Sequence, residues 1–273
     1  MYYLLGNHAF YSAERPELLR RYGIPSAAPA STSASASALG VLSVGGNGSA
    51  YFAVRPAPGV RLVFLDSYAV STIGWPEGDA RRAQAQALLS AHNPAAPGAA
   101  QKDPGALKGA ERRWVSLGGA LGAPQLAWLD GQLRAAAAAG ERALVFSHIP
   151  LHPGATSAWC GGMCLSWDYE EALAVLRSHA PTVGACFAGH DHTGGAVKDP
   201  TSGIHFVTLQ GVIETPAGGR SYGEVVLLRA RLLLRGEGRM ATRDLALRPL
   251  PVVAGAAGAA AGAPAGKGEK AAA

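Results

Sequence analysis

Short unbroken apolar runs recur along the chain, and each stops at a turn-forming or polar residue. YYLL at 2–5 stops at Gly6, VRLVFLD at 60–66 ends on Asp66, ALVFSH at 143–148 ends on His148, and TVGACFAGHDH at 182–192 ends in histidines. Such runs are the signature of buried strands that feed loops. Residues 41–45 and 50–55 predict two more strands, and the GGNG and RPAPG separators make a hairpin of two of the three. Helical periodicity marks 124–140, where Leu126, Leu129 and Leu133 share a face and Gly140 ends the segment. It also marks 168–179, with Asp168 as cap, and 12–22, with Ser12 as N-cap and Leu18 and Leu19 inward. Segments 204–211, 222–230 and 231–238 are strand-rich. Strand–helix–strand alternation followed by strands predicts an α/β sandwich.

Composition shortens the foldable part. Of 273 residues, 55 are Ala and 36 are Gly, so the core must be built from a modest set of Leu, Val, Ile and aromatic residues. Low-complexity stretches are expected near 25–38 and 76–106, the latter a polar and poorly periodic surface insertion, and 251–273 reads as a disordered Ala/Gly tail. One domain spanning 1–250 is expected, with roughly 200 ordered residues. Lys and Arg number 24 against 19 Asp and Glu, and the excess is spread rather than gathered, which does not indicate nucleic-acid binding. Three cysteines without CxxC spacing suggest neither a disulfide framework nor a thiolate zinc site. No strongly apolar run is long enough to cross a bilayer and MYYLLGNHAF lacks a signal-peptide pattern, so a soluble, cytoplasmic protein is expected.

Candidate chemistry follows the strand ends. Gly6-Asn7-His8, Ser147-His148-Ile149-Pro150 and Gly189-His190-Asp191-His192 each place metal-binding side chains after an apolar run. The loops at strand C-termini of an open α/β sheet converge on one side. Neutral imidazole nitrogens and an Asn carbonyl oxygen suit a borderline to hard divalent ion, and the glycines before Asn7 and His190 are expected to turn the backbone tightly. Taken singly, each piece has a plain alternative: a satisfied core histidine at His148, or solvated imidazoles at His190 and His192. A Ser147–His148 catalytic pair is unfavoured, because adjacent strand residues face opposite ways.

The series GNH, SHxPLxP, GHxH resembles the motif order of the calcineurin-like metallophosphoesterases. FSHIPLHPGA, CLSWDYEEALAVLRSH, CFAGHDHTGG and GIHFVTLQGVIETPAGGRSYGEVVL narrow the resemblance to the manganese-dependent ADP-ribose/CDP-alcohol diphosphatase group, over roughly residues 1–24, 41–75 and 107–243. The resemblance implies a metallophosphoesterase-like β-sandwich flanked by helices and a dinuclear site, with Mn2+ as the metal. It makes Asn7, His148 and His190 ligands of one ion, His192 a ligand of the other, and His8 the assistant of the leaving group. Cys164 falls in the substrate-binding loop, flanked by Trp159 and Trp167 as candidates for the nucleoside side. The implied reaction is attack by a metal-activated hydroxide on the pyrophosphate of ADP-ribose, giving AMP and ribose 5-phosphate, or on that of CDP-alcohols. The implied partner is a nucleoside diphosphate-linked small molecule, not nucleic acid or membrane.

Three departures qualify the resemblance. Ala9 stands where the group usually has Asp or Glu after GNH. No D-x-H or G-D-x-x-D precedes Asn7, and Asp66 and Asp79 lie in the wrong order to replace them. Asp191 occupies a position that varies in the family. A partial domain lacking its first strands and helix is therefore expected, with an exposed sheet edge and at most one ion held at reduced affinity. A second reading follows, a catalytically impaired or non-enzymatic truncated homologue from an incomplete gene model; a third, a nucleotide-binding module, has no positive feature. Glu214, in GVIETP, is read as structural, and His152 and His205 as outlying.

Overall fold

A computed structural model describes residues 1–25, 40–46, 48–95 and 102–250. Its main sheet is seven-stranded and mixed, in the order β1 (Val41–Val44), β2 (Phe52–Ala57), β3 (Val60–Phe64), β4 (Arg142–Phe146), β5 (Val183–Ala188), β7 (His205–Thr208), β6 (Gly195–Lys198). Strands β3, β4, β5 and β7 run parallel, so their C-terminal ends open on one edge. A second, antiparallel sheet has the order β10 (Arg243–Ala246), β9 (Arg231–Gly238), β8 (Ser221–Leu227). The α-helices are α1 (Asn7–Phe10), α2 (Arg15–Arg21), α3 (Ala80–His92), α4 (Ala123–Ala138) and α5 (Tyr169–Ser178).

Side-chain alternation along the central strands divides the core in two. Ala143 and Val145 of β4 pack with Leu129 and Leu133 of α4 and with Leu173 and Leu176 of α5. Leu144, between them in sequence, joins Ala185, Phe187 and Val207 against Leu232, Leu234 and Leu245 of the second sheet. Period-two alternation thus makes three layers, helices on sheet on sheet, and the expected α/β sandwich is what forms.

The sequence expectations hold least well at the periphery. Residues 2–5 form no strand; Tyr2 packs its ring on Phe52 and Phe64, at centroid distances of 6.2 and 5.6 Å, and Leu5 is buried with them. The run is apolar because it covers a sheet face, not because it joins a ladder. Ser12 does not cap the following helix. Its hydroxyl donates to the carbonyl of Ala9 at 2.7 Å, and α2 starts at Arg15 with Pro16 in its first turn. Asp168 precedes α5 but turns elsewhere, accepting from the backbone N–H groups of Leu121 and Gly122 at 3.1 and 2.8 Å. The polar stretch near 76–106 contains α3, capped by Asp79 and burying Ala85 and Leu89, so it is more ordered than its weak periodicity predicts. Residues 26–38, 96–101 and the tail 251–273 lie outside the described residues, and the expectations for them go with them.

One long-range contact fastens the N-terminal segment to the sheet. Arg15 is almost fully buried; its Nη1 donates to Asp66 Oδ2 at 2.5 Å, Nη2 to the carbonyl of Tyr68 at 2.8 Å and Nε to the carbonyl of Gly74 at 3.1 Å. Its guanidinium carbon also lies 3.8 Å from the Trp75 ring centroid. Asp66 in turn accepts from the N–H groups of Ala50 and Tyr68, both at 3.0 Å. A pair this buried is costly to break from one side, because the remaining charge keeps no partner. Arg15→Met is therefore expected to cost about 3–5 kcal/mol, read as a lowered denaturation midpoint in urea. An unchanged midpoint would show that the pair is dispensable.

Candidate active site

The open edge of the parallel strands gathers the candidate ligands. Asn7, at the start of α1, is buried, and its Oδ1 lies 3.0 Å from His148 Nε2 after β4 and 3.3 Å from His190 Nδ1 after β5. The Asn7 Nδ2 donates to the Tyr11 hydroxyl at 3.3 Å, which leaves Oδ1 pointing at the imidazoles. Residues 141 and 183 positions apart in sequence thus meet around one oxygen. The His148 and His190 rings sit 5.2 Å apart, and those of His8 and His192 face one another at 5.8 Å. The main-chain N–H groups of His148 and Ile149 both donate to Ser67 Oγ, at 3.1 and 3.0 Å, so the loop after β3 holds the loop after β4.

The expected tight glycine turns take another form. At Gly6 a Cβ would stand 2.5 Å from His148 Cε1, so glycine is needed for close approach. Beside the other motif, His190 itself adopts the left-handed conformation, φ 66°, and is the one non-glycine residue among those described to do so.

Burial pushes the His148 imidazolium down to about 4, helped by repulsion from His8 and His192. His190 is lowered well below the ordinary histidine value, first by burial and then by His148, His192, Lys102 and His8. Both rings are therefore neutral at pH 7, the form that ligates metals. Two neutral imidazoles and an amide oxygen converging on one point fit a divalent ion such as Mn2+. Two cavities flank the site. One, of about 250 Å³, runs past Tyr11 and Lys102 to Trp159 and Cys164; the other, of about 490 Å³, runs between His148, Leu4, Phe187 and Ile213. A larger cavity of about 780 Å³ beside Trp75 and Arg81 contains no histidine and is unconnected with this chemistry.

No family model matches the chain. It is 36% identical over 241 residues to a manganese-dependent ADP-ribose/CDP-alcohol diphosphatase of Danio rerio, covering 88% of this chain and 70% of that protein. The protein of the same name from Oryza sativa subsp. japonica is 32% identical over 248 residues, covering 91% and 68%. A crystal structure of a dimetal phosphatase from Danio rerio superposes with a TM-score of 0.74 at 32% identity, covering 90% of this chain and 72% of that one. The chain belongs to the manganese-dependent ADP-ribose/CDP-alcohol diphosphatase family.

With the family in view, the site residues sort clearly. Asn7, His148 and His190 come together, and His8 and His192 sit opposite each other beside them. Of the two tryptophans, Trp159 is 69% exposed at the cavity rim, whereas Trp167 is 2% exposed and packs with Trp114. Trp167 is therefore a core residue and not a nucleoside contact. Cys164 lines the cavity without a free thiol, because it forms a disulfide with Cys160 across a turn that brings the Cα atoms to 5.9 Å. The odd count and the spacing hid that pairing. The Cys160 and Cys164 sulfurs and an Asp191 oxygen lie within 4.8 Å of one another. Asp191, however, already accepts from Ser157 N at 2.6 Å, Ser157 Oγ at 3.0 Å and Thr193 N at 3.2 Å. It ties the cavity loop to the GHxH turn.

His152 and His205 make structural bonds, to Gly154 N and to the carbonyl of Ala246. Ser147 donates to the carbonyl of Ile149, and Ala9 packs against the apolar cluster that holds Leu5, Leu18 and Phe52. Sequence reasoning missed Ser67, Tyr11 and Lys102, and it passed over Asp66. Ser67 acts on residues that lie 81 and 82 positions away in the chain, and Tyr11, although only four residues from Asn7, belongs to no motif that marks it.

Gly6→Ala is expected to leave the fold intact by circular dichroism and to weaken Mn2+ binding by about tenfold or more, as the added methyl displaces the His148 ring. Isothermal titration with Mn2+ checks it. The protonation behaviour of His148 and His190 gives a second expectation. Their folded-state values lie below the unfolded value of 6.5, so the unfolded chain takes up protons first. Stability of the metal-free protein is full above about pH 6.5 and falls toward pH 4, by on the order of 1–3 kcal/mol. Urea midpoints that do not change over that interval would refute it.

Proposed function

We propose that the chain is a metal-dependent diphosphatase that hydrolyses the pyrophosphate of ADP-ribose or CDP-alcohols. The observation that carries the reading is the meeting of Asn7 Oδ1, His148 Nε2 and His190 Nδ1 at the sheet edge, with His8 and His192 facing across the adjoining cavity. The relatives named for that activity, one of them 36% identical, support it.

When bound, a divalent ion supplies Lewis acidity toward phosphate oxygens and lowers the pKa of bound water. The protein's own groups do the rest. Asn7, His148 and His190 would hold one ion, and His192 would serve as a ligand of the other. His8 is exposed where the two cavities meet, and its ring is placed to give a proton to the departing phosphate oxygen. Lys102, in the wall of the smaller cavity, brings positive charge to the phosphates. Trp159 at the rim offers an open ring face on which a base can stack. Substrate thus lies with its diphosphate at the imidazoles and its nucleoside toward the disulfide-closed loop.

Neither the named relatives nor the gathering of Asn7, His148 and His190 favours the alternative of an impaired homologue. The deciding experiment incubates the purified 273-residue chain with Mn2+ and either ADP-ribose or a CDP-alcohol, and follows release of AMP or CMP. Turnover is expected, and His148→Ala should lower kcat/KM by on the order of a thousandfold, about 4 kcal/mol of transition-state stabilisation. A wild-type chain inert toward both substrates, or a His148→Ala variant as active as the wild type, would overturn the reading.

A further inference from the structure

Glu214, in the GVIETP segment, has no part in the reaction described so far. Its carboxylate oxygen Oε1 lies 2.9 Å from Nδ1 of His192, a residue 22 positions earlier. The contact is built rather than incidental. Glu214 ends a one-turn 3-10 helix, Val212–Glu214, that follows β7. Gly211, just before that turn, donates its N–H to the carbonyl of His192 at 3.0 Å, and a Cβ at Gly211 would stand 2.9 Å from His192 Cβ. Arg239, from the turn between β9 and β10, donates from Nη1 to the carbonyl of Glu214 at 2.6 Å. Main chain, side chain and a residue of the second sheet all press this loop against one imidazole.

His192 needs such a partner more than the other ligands do. His148 and His190, themselves half-buried, are held by their shared contact with Asn7, whereas the His192 side chain, 32% exposed, has the Glu214 carboxylate on its ring nitrogen instead. An imidazole has two nitrogens, and a carboxylate can only accept. With Glu214 on Nδ1, that nitrogen carries the proton, and the lone pair is left on Nε2. Outlying carboxylates of this kind commonly set both the tautomer and the direction of a ligating histidine, and their loss costs about 10–100-fold in metal affinity.

We infer that Glu214 is a positioning residue, which fixes His192 in the Nδ1–H tautomer and aims its Nε2 into the metal site. The inference rests on the metal-site reading above. It also gives the V-I-E-T-P segment a task, and it makes Arg239 the support that holds Glu214 in reach.

The test compares Glu214→Ala and Glu214→Gln with the wild type, each checked for fold by circular dichroism. An amide oxygen can still accept from Nδ1–H, so Gln is the conservative rescue. Mn2+ affinity is read by electron paramagnetic resonance of the free ion, and the His192 tautomer by 15N chemical shifts of the metal-free protein. Glu214→Ala is expected to lose about 10–100-fold in Mn2+ affinity and to show a mixture of His192 tautomers. Glu214→Gln should stay within a few-fold of wild type and keep one tautomer. The inference is overturned if Glu214→Ala binds Mn2+ as tightly as wild type with the tautomer unchanged, or if Glu214→Gln is as weak as Glu214→Ala. A wild type that keeps the single tautomer but binds no Mn2+ would instead sink the metal-site reading itself.

Discussion

A guanidinium taken out of water has to be met on every side, and at Arg15 that requirement organises the site. Its three donating nitrogens end on Asp66, on the carbonyl of Tyr68 and on that of Gly74, so the segment from residue 1 to α2 can sit in one place against the loop after β3. That segment carries Asn7 and His8. The next residue of the same loop, Ser67, accepts from the backbone of His148 and Ile149. Two adjacent residues therefore locate the amide oxygen and the imidazole that meet it. The sheet supplies the direction of approach, and this short loop supplies the distance.

Around that arrangement the electrostatics are uniform in sense. His8, His148, His190 and His192 crowd together with Lys102 close by, and burial first, then this crowding, keeps the His148 and His190 rings neutral. A pocket of four imidazoles with few opposing charges repels protons and favours a dication that can use several lone pairs at once. Binding an anionic diphosphate beside it then relieves the remaining positive charge. Metal, substrate and protonation state are linked through one small volume.

How much of this is legible in the sequence depends on the range of the interaction. Runs such as ALVFSH and TVGACFAGHDH display both their strand and the histidine that ends it, because burial and the turn are local. α4 is equally plain, since Leu126, Leu129 and Leu133 repeat at helical spacing. The short edge strands β6 and β10 are not, with Lys198, Arg243 and Asp244 diluting their apolar content. α3 hides in Ala and Gln, where only Ala85 and Leu89 turn inward. The Arg15–Asp66 pair spans 51 residues and the Glu214–His192 contact 22; no local pattern announces either. The Cys160–Cys164 link is close in sequence, yet it depends on a loop that doubles back, which spacing alone does not reveal. The YYLL run shows the opposite error: strong apolar patterning without a strand, because a sheet face can be covered by side chains alone.

His190 is held in the left-handed region, where a side chain bearing a Cβ is disfavoured by about 1–2 kcal/mol. Glycine or asparagine would relax that backbone. The residue that the local conformation would prefer and the residue that the metal requires are therefore different. A library of variants screened only for heat resistance would drift away from histidine at this position, and the hardiest survivors would be those that had given up the ion.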